Sequence, residues 1–269
     1  MKKFTEFITE KLITIGGGRP KYNNVVIMAG GSGSGKGFVI KNLLGIQGKV
    51  FDVDKFKKAA LKYPLLRKKI KEEFGDEFTE KDLKDPQKVS RLHKIIKTLE
   101  LQDTSIENTL MASLWSKDKP NIIFDTTMSS LHRLNELVES VREVGYKKEN
   151  IHIVWVVADL DTALQQNKDR SRRVDDDILA DTHKHVALTF KNIFKNSDSF
   201  RKRADGDIWL VFNKKYVDTL IKKSEFGGKF LEDALYVQVK KQGEPIMSGK
   251  DVLWRFVKKL RNYTKTKVL

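Results

Sequence analysis

The residues with the most chemical content form one short stretch, Gly30-Gly31-Ser32-Gly33-Ser34-Gly35-Lys36, which matches G-x-x-x-x-G-K. Glycines lack a Cβ, so successive backbone N–H groups can converge on phosphate oxygens. A helix starting at the end of such a loop adds the positive end of its dipole, and the lysine reaches the β- and γ-phosphates. Gly30, Gly31, Ser32, Gly33, Ser34, Gly35, Lys36 and Gly37 are therefore the expected phosphate cradle, with ATP or GTP as its nucleotide. One position departs from the pattern. The motif continues with Ser or Thr, whose hydroxyl binds Mg²⁺, and here that residue is Gly37. Mg²⁺ must then be held by waters, by substrate phosphates or by an acid elsewhere. A protein that binds nucleotide without turnover is also compatible with Gly37.

Three further groups can complete a phosphoryl-transfer site. Phe51-Asp52-Val53-Asp54 closes a short apolar segment, and alternation along a strand sends Asp52 and Asp54 to the same side. A carboxylate there can take the proton of an attacking hydroxyl; Asp54 can equally cap a helix beginning at Lys55. Asp125 follows Ile122-Ile123-Phe124 and is the candidate metal residue, with Thr126 and Thr127 as substrate contacts or caps. Asp169-Arg170-Ser171-Arg172-Arg173-Val174 joins two helical segments, where Arg170 and Arg172 suit a lid that neutralises transferring charge. His183 and His185 lie two apart on a helix and cannot share a face, so neither is expected to ligate metal.

The elements that must position these residues are legible as alternating periods. Asn24–Ala29, Lys49–Val53, Asn121–Phe124, Ile151–Ala158 and Ile208–Phe212 are apolar runs of strand length. Between them lie helical patterns, among them Phe38–Leu44, Ser130–Val144, Leu160–Arg170 and Asp175–Phe194. The alternation predicts an α/β fold, a parallel sheet with helices on both faces, and the phosphate loop between its first strand and helix makes it the P-loop NTPase kinase type. In open parallel sheets ligands bind beyond the C-terminal strand ends, where the loop and the acids lie. Residues 1–20 are expected to be an amphipathic helix followed by a Gly-rich linker, residues 21–213 the kinase domain, and residues 214–269 a small basic extension.

Composition limits the function classes. The chain has 269 residues, 39% hydrophobic, with 15 Phe and 4 Trp, enough for a buried core. No run approaches the roughly 18 apolar residues of a membrane helix, so no membrane partner is expected. The absence of cysteine removes disulfides, thiolate metal sites and cysteine nucleophiles. Net charge is +16, from 52 Lys and Arg against 36 Asp and Glu. Residues 214–269 hold 14 of the basic and 6 of the acidic residues, a net of +8. Such an excess suits polyanionic partners, nucleotide or DNA or RNA; a dispersed and merely solvated charge is the alternative reading. Lys258, Lys259 and Arg261 with Trp254, Phe256 and Tyr263 can track a phosphate backbone and stack bases. The same stretch also has the spacing of an amphipathic helix packed through Val252, Leu253, Phe256, Val257 and Leu260.

The order of these blocks resembles the zeta-toxin and polynucleotide-kinase group of P-loop kinases. It comprises the phosphate loop, "FDVDKFKK…YP", "NIIFDTT", "WVVADLDTALQQNKDRSRRVDDDILADTHKHV" and "DIWLVFN", over about Val25–Asn213. The resemblance implies that Lys36 binds phosphates, that Asp54 is the base for the acceptor hydroxyl, that Arg170–Arg173 form the lid, and that the segment near Asn213 lies by the adenine. The group phosphorylates nucleic-acid 5′-hydroxyls, nucleotide sugars and other small hydroxyl compounds. Separately, Met1–Glu10 resembles the capsid-targeting leader of internal head proteins of T-even-type phages, with Ile8-Thr9-Glu10 as the cleavage triplet. That likeness implies packaging in a phage head and delivery into the bacterial cytoplasm; an ordinary starting helix is the alternative.

Overall fold

The computed structural model describes residues 13–52, 61–75, 77–113, 116–170, 173–214, 220–223, 229–232, 236–247 and 254–268. Its centre is a sheet in which the apolar run β1 (Val25–Ala29) pairs in parallel with both β3 (Ile122–Asp125) and β4 (Ile151–Ala158). β2 (Lys49–Asp52) lies outside β3, and β5 (Ile208–Asn213) lies outside β4, all parallel. The order β2-β3-β1-β4-β5 is the expected α/β arrangement. The inner strands bury both faces, so their side chains divide between two cores. Val25, Ile27 and Ala29 enter one, and Val26 and Met28 the other.

Helices cover both faces. α1 (Lys36–Asn42), directly after the phosphate loop, packs Val39 with Val26, Met28, Val154 and Val156. The opposite face carries α5 (Leu131–Glu143) and α7 (Asp176–Lys195), whose Leu134, Val138, Val186 and Phe190 meet Ile153, Trp155 and Phe124. Phe190 stacks on Trp155 with centroids 4.1 Å apart and planes 12° from parallel. α6 (Leu160–Lys168) and α7 begin with capping aspartates: Asp159 accepts from Thr162 N at 2.8 Å, and Asp175 from Asp177 N at 3.0 Å. The two helices stand at either end of the arginine segment.

Between β2 and β3 lies a helical insert. α2 (Pro64–Phe74) and α3 (Pro86–Thr98) share a separate small core of Leu61, Ile70, Phe78, Leu92, Ile95 and Ile96. α4 (Leu101–Ser113) sends Ile106 and Leu110 back into the main core.

The two ends of the chain are more closely built into the domain than expected. Ile13 and Ile15 are fully buried, and Ile13 exchanges backbone hydrogen bonds with Leu43 and Gly45 at 3.0 and 2.8 Å. Residues 13–15 are thus an extended core segment rather than helix or linker, because two isoleucines with one polar residue between them suit a pleated chain. Residues 1–12, including the expected leader, lie outside the described residues. Ile208–Asn213 is also not the last strand. β6 (Leu220–Lys223) and β7 (Lys229–Glu232) form an antiparallel pair, and β8 (Tyr236–Lys240) joins the main sheet antiparallel to β5. α8 (Trp254–Thr264) buries Leu260 in the main core, and its Tyr263 meets Phe212 edge-on at 5.2 Å. Among the described residues no helix is long and apolar enough to cross a membrane.

Candidate functional site

The phosphate loop leaves the C-terminal end of β1 and enters α1 through two left-handed glycines. Gly33 has φ +72° and Gly35, the residue before the helix, has φ +95°. Neither position tolerates a side chain: a Cβ on Gly33 would lie 2.3 Å from Ala163 O of α6, and one on Gly35 2.7 Å from Asn213 Nδ2. The loop is closed from below as well, since Gly30 N donates to Thr127 O at 3.1 Å and Ser34 N to Gly31 O at 3.2 Å. Lys36 curls over this turn, donating from Nζ to Gly30 O at 2.7 Å and Gly31 O at 3.3 Å.

One carboxylate stands beside the lysine, and a second is that carboxylate's neighbour in the sheet. Asp52 ends β2 and Asp125 ends β3, and they are partners in the strand register, so their side chains leave the sheet as neighbours on the same face. Lys36 Nζ is 3.8 Å from Asp125 Oδ1. Thr126 turns inward instead of toward solvent: its hydroxyl donates to Met28 O at 3.3 Å and accepts from Met128 N at 3.1 Å. Neither Thr126 nor Thr127 caps α5, whose capping residue is Ser130.

The arginine segment reaches the loop. Arg170 Nη1 donates to the Ser32 hydroxyl at 2.9 Å. Arg173 turns the other way, its guanidinium bonding Lys168 O and its backbone N–H donating to Leu83 O of the insert at 3.3 Å. The expected base Asp54 and the second lid residue Arg172 lie outside the described residues. Asn213, expected near the adenine, has its side chain buried against the loop, with Nδ2 donating to Ser34 O at 2.8 Å. Just beyond it, Lys214 pairs with Asp159 at 3.3 Å. Burial pushes the Asp159 carboxyl up, but the bonds from Thr162 N and Lys214 outweigh it and hold the group below its ordinary value.

One residue at the loop had no functional signal in the sequence. His183, on the first half of α7, places Nε2 2.9 Å from Ser32 O. Burial lowers its pKa most, and the nearby Lys36 adds to that, against an upward pull from the Ser32 carbonyl. The imidazole is therefore neutral near pH 7, with the proton on Nε2 that the carbonyl requires. His185, two residues on, faces away and bonds its own helix at Asp181 O.

Gly37 opens on free space: nothing lies within 4 Å of where its Cβ would stand. The hydroxyl missing there is not replaced by Ser34, whose Oγ is buried and has no hydrogen-bond partner among the described residues. Asp125 and its neighbour Asp52 supply the hard oxygen donors that Mg²⁺ takes, and Lys36 Nζ lies 3.8 Å from Asp125 Oδ1. The residues present therefore fit the ion. No cluster of three or more potential metal ligands occurs among the described residues.

A family model described as AAA domain matches residues 25–192. The chain belongs to the AAA domain family. The match begins at β1 and ends within α7, so it takes in the loop, both strand-end carboxylates, the insert, Arg170 and His183. Among solved structures, this AAA domain chain is similar to the AvrRxo1-ORF1:AvrRxo1-ORF2 complex with sulphate ions, at TM-score 0.48 and 14% identity over 94% of this chain and 66% of that one. It is similar to the same complex with ATP at TM-score 0.49 and 13% identity, covering 91% and 65%. Against the PezAT chromosomal toxin-antitoxin system of Streptococcus pneumoniae the values are 0.43, 11%, 77% and 72%. The chain spans just under two thirds of the length of the AvrRxo1 chains. No curated protein matches it.

Proposed function

We propose that the chain is a P-loop kinase that moves the γ-phosphoryl of ATP or GTP to a hydroxyl of a nucleotide or nucleic-acid acceptor. The observation that carries this reading is the convergence of Lys36, Asp125, Asp52 and Arg170 around one glycine-rich loop at the ligand edge of a parallel sheet. A loop that only bound phosphate needs neither the paired carboxylates nor an arginine from a separate helix junction.

In this reading the loop N–H groups and Lys36 hold the triphosphate. An acceptor oxygen forms a bond to the γ-phosphorus as the bridging β–γ oxygen leaves with the electron pair. The acceptor proton passes to Asp54, two residues beyond Asp52 on the same chain segment. Arg170, already at Ser32, and Arg172 neutralise the charge spread over the transferred group. Asp125 would hold Mg²⁺, which when bound supplies positive charge to the phosphate oxygens.

The acceptor class rests on charge. The insert carries a cleft of about 280 Å³ whose apolar side is Leu61, Ile70 and Phe78 and whose polar side includes Arg67, Lys68, Lys71 and Glu77. That lining suits a molecule with a flat or apolar body and an anionic group. A small nucleotide sugar, as in zeta toxins, is the competing acceptor and fits the same lining.

Transfer of label from γ-³²P-ATP or γ-³²P-GTP, with Mg²⁺ or Mn²⁺, to oligonucleotides, nucleotides and nucleotide sugars tests the proposal. Labelled product that disappears in Lys36→Ala is expected. No product from any acceptor in either metal would refute the kinase reading. Salt titration separates the acceptors, because a polyanion loses affinity steeply between low and moderate salt and a small nucleotide does not.

A further inference from the structure

Two side chains from opposite sides of the molecule grip alternate carbonyls of the phosphate loop. His183 Nε2 of α7 meets Ser32 O at 2.9 Å, and Asn213 Nδ2 at the end of β5 meets Ser34 O at 2.8 Å. A trans peptide is planar, with its C=O and N–H pointing in opposite directions. Fixing the Ser32 carbonyl therefore fixes the N–H of Gly33, and fixing the Ser34 carbonyl fixes that of Gly35. Both N–H groups are therefore turned away from the gripping side chain. None of the hydrogen bonds among the described residues uses either N–H. The two glycines are also the ones in the left-handed region, and alternation of left- and right-handed residues makes successive N–H groups converge on an anion.

We infer that His183 and Asn213 are positioning residues that set the N–H cradle for the phosphate chain before nucleotide arrives. They do not touch the nucleotide; they act through the Ser32–Gly33 and Ser34–Gly35 peptides. The packing supports a rigid grip. The His183 ring lies so close that a Cβ on Gly31 would stand 2.3 Å from its Cδ2. The imidazole is held neutral by burial and by Lys36, which leaves one proton, and the carbonyl fixes it on Nε2. Asn213 is 5% exposed, and its amide nitrogen lies 2.7 Å from where a Cβ on Gly35 would stand. For Asn213 this differs from the adenine contact that family resemblance implies, and the two roles have different ligand dependence.

The inference rests on the phosphate-site reading and is tested by calorimetry on the full chain with ATP and with inorganic tripolyphosphate, which has no base. The variants are His183→Ala, His183→Leu, His183→Gln, Asn213→Ala and Lys36→Ala. A loop carbonyl released from its donor should weaken both ligands by the same factor, about tenfold, the scale of one lost hydrogen bond in the bound state. Gln places an amide N–H where Nε2 was, so His183→Gln should recover most of the affinity for both. If His183→Ala does not fold, His183→Leu, which keeps the bulk and lacks the donor, takes its place in the comparison.

Equal loss for ATP and tripolyphosphate, with rescue by Gln at unchanged Tm, supports the positioning role. Loss for ATP alone in Asn213→Ala assigns that residue to the base and overturns its part here. Unchanged affinities in the histidine variants, or a Gln variant as weak as Leu, overturn the part of His183. Wild-type protein that binds neither ligand overturns the phosphate site itself, and this inference with it.

Discussion

At the level of single residues, Gly37 is where the loop departs from its pattern, and its surroundings say what restoring the pattern would do. Nothing lies within 4 Å of a Cβ there, and the position is helical. Gly37→Thr therefore enters without strain and replaces the poorest helix former after proline, a gain of about 0.5 kcal/mol. Its hydroxyl would stand one residue after Lys36, where Mg²⁺ on the phosphates can take it as a ligand. The expected outcome is Mg²⁺-dependent ATP binding tighter by about tenfold, one added ligand, with metal-free binding unchanged. Calorimetry with and without EDTA measures both. Gly33→Ala should do the opposite. The left-handed φ costs a non-glycine residue about 1–2 kcal/mol, and the Cβ meets Ala163 O at 2.3 Å, so the turn must open and ATP binding be lost. The loop itself was legible in the sequence because glycine and lysine spacing is local. Its partners were not. Arg170 is 138 and His183 151 residues from Ser32 in sequence, and no periodicity links residues that meet only through the fold. The arginine cluster Asp169–Val174 signals phosphate by its composition alone, whereas a single histidine on a helix gives no local sign of which loop it will meet.

At the level of elements, α7 does two jobs, and they are coupled. Its inner face, Val186, Phe190 and Ile193, packs on the sheet, and its first half carries His183 to the loop. Phe190→Ala should cost about 3–5 kcal/mol through the cavity left beside Trp155. It should also weaken ATP binding in the fraction that remains folded, because the helix that holds His183 loses its anchor. Chemical denaturation and ATP titration on the same sample separate the two losses. The titration of His183 gives α7 a pH signature. Its folded pKa lies below the ordinary 6.5, so below that pH the unfolded chain takes up a proton that the folded protein resists. Stability contributed at higher pH is then lost as pH falls from 6.5 toward the lowered folded value. Urea unfolding between pH 5 and 7.5 should show this fall in wild type and a flatter profile in His183→Gln. The helices and parallel strands were legible from apolar period and capping aspartates. β8 was not: Tyr236–Lys240 is short and alternates polar with apolar residues, and it lies in a segment where basic charge dominates. Lys240 shows how far charge misleads, for it is 1% exposed and buries its ammonium against Asp205, at 2.9 Å, and against backbone carbonyls.

Across the whole molecule, the two edges of the sheet are chemically opposite, one holding the site and the other the seams of the chain. At the N-terminal edge, Asp207 accepts from Gly16 N at 2.6 Å, from Gln242 N at 2.8 Å and from Gln238 Nε2 at 3.0 Å. Its backbone N–H donates to His152 Nδ1 at 2.9 Å, and His152 Nε2 meets Asn24 Oδ1 at 3.0 Å. One carboxylate thus joins the segment before β1, the start of β5 and the strand β8 with the turn after it. Burial pushes the Asp207 carboxyl up, yet the hydrogen bonds it accepts, those from Gly16 N and Gln242 N among them, hold it below its ordinary value. A lowered carboxyl adds stability that is full above the unfolded value of 3.8 and is lost as pH falls below it. Asp207→Ala strands three donors in a buried site and should cost about 3 kcal/mol, or roughly 6–12 °C in Tm for a chain of this size. ATP affinity should hold at temperatures where the variant is folded, since every residue at the loop belongs to the other edge. Lys36→Ala should show the reverse, a Tm within about 2 °C of wild type, as expected for a partly exposed site residue, and no ATP binding. Thermal melts and titrations of the two variants side by side decide it. If Asp207→Ala lost affinity in proportion to its stability, the two edges would be one cooperative unit, and the separation of seam from site would be wrong.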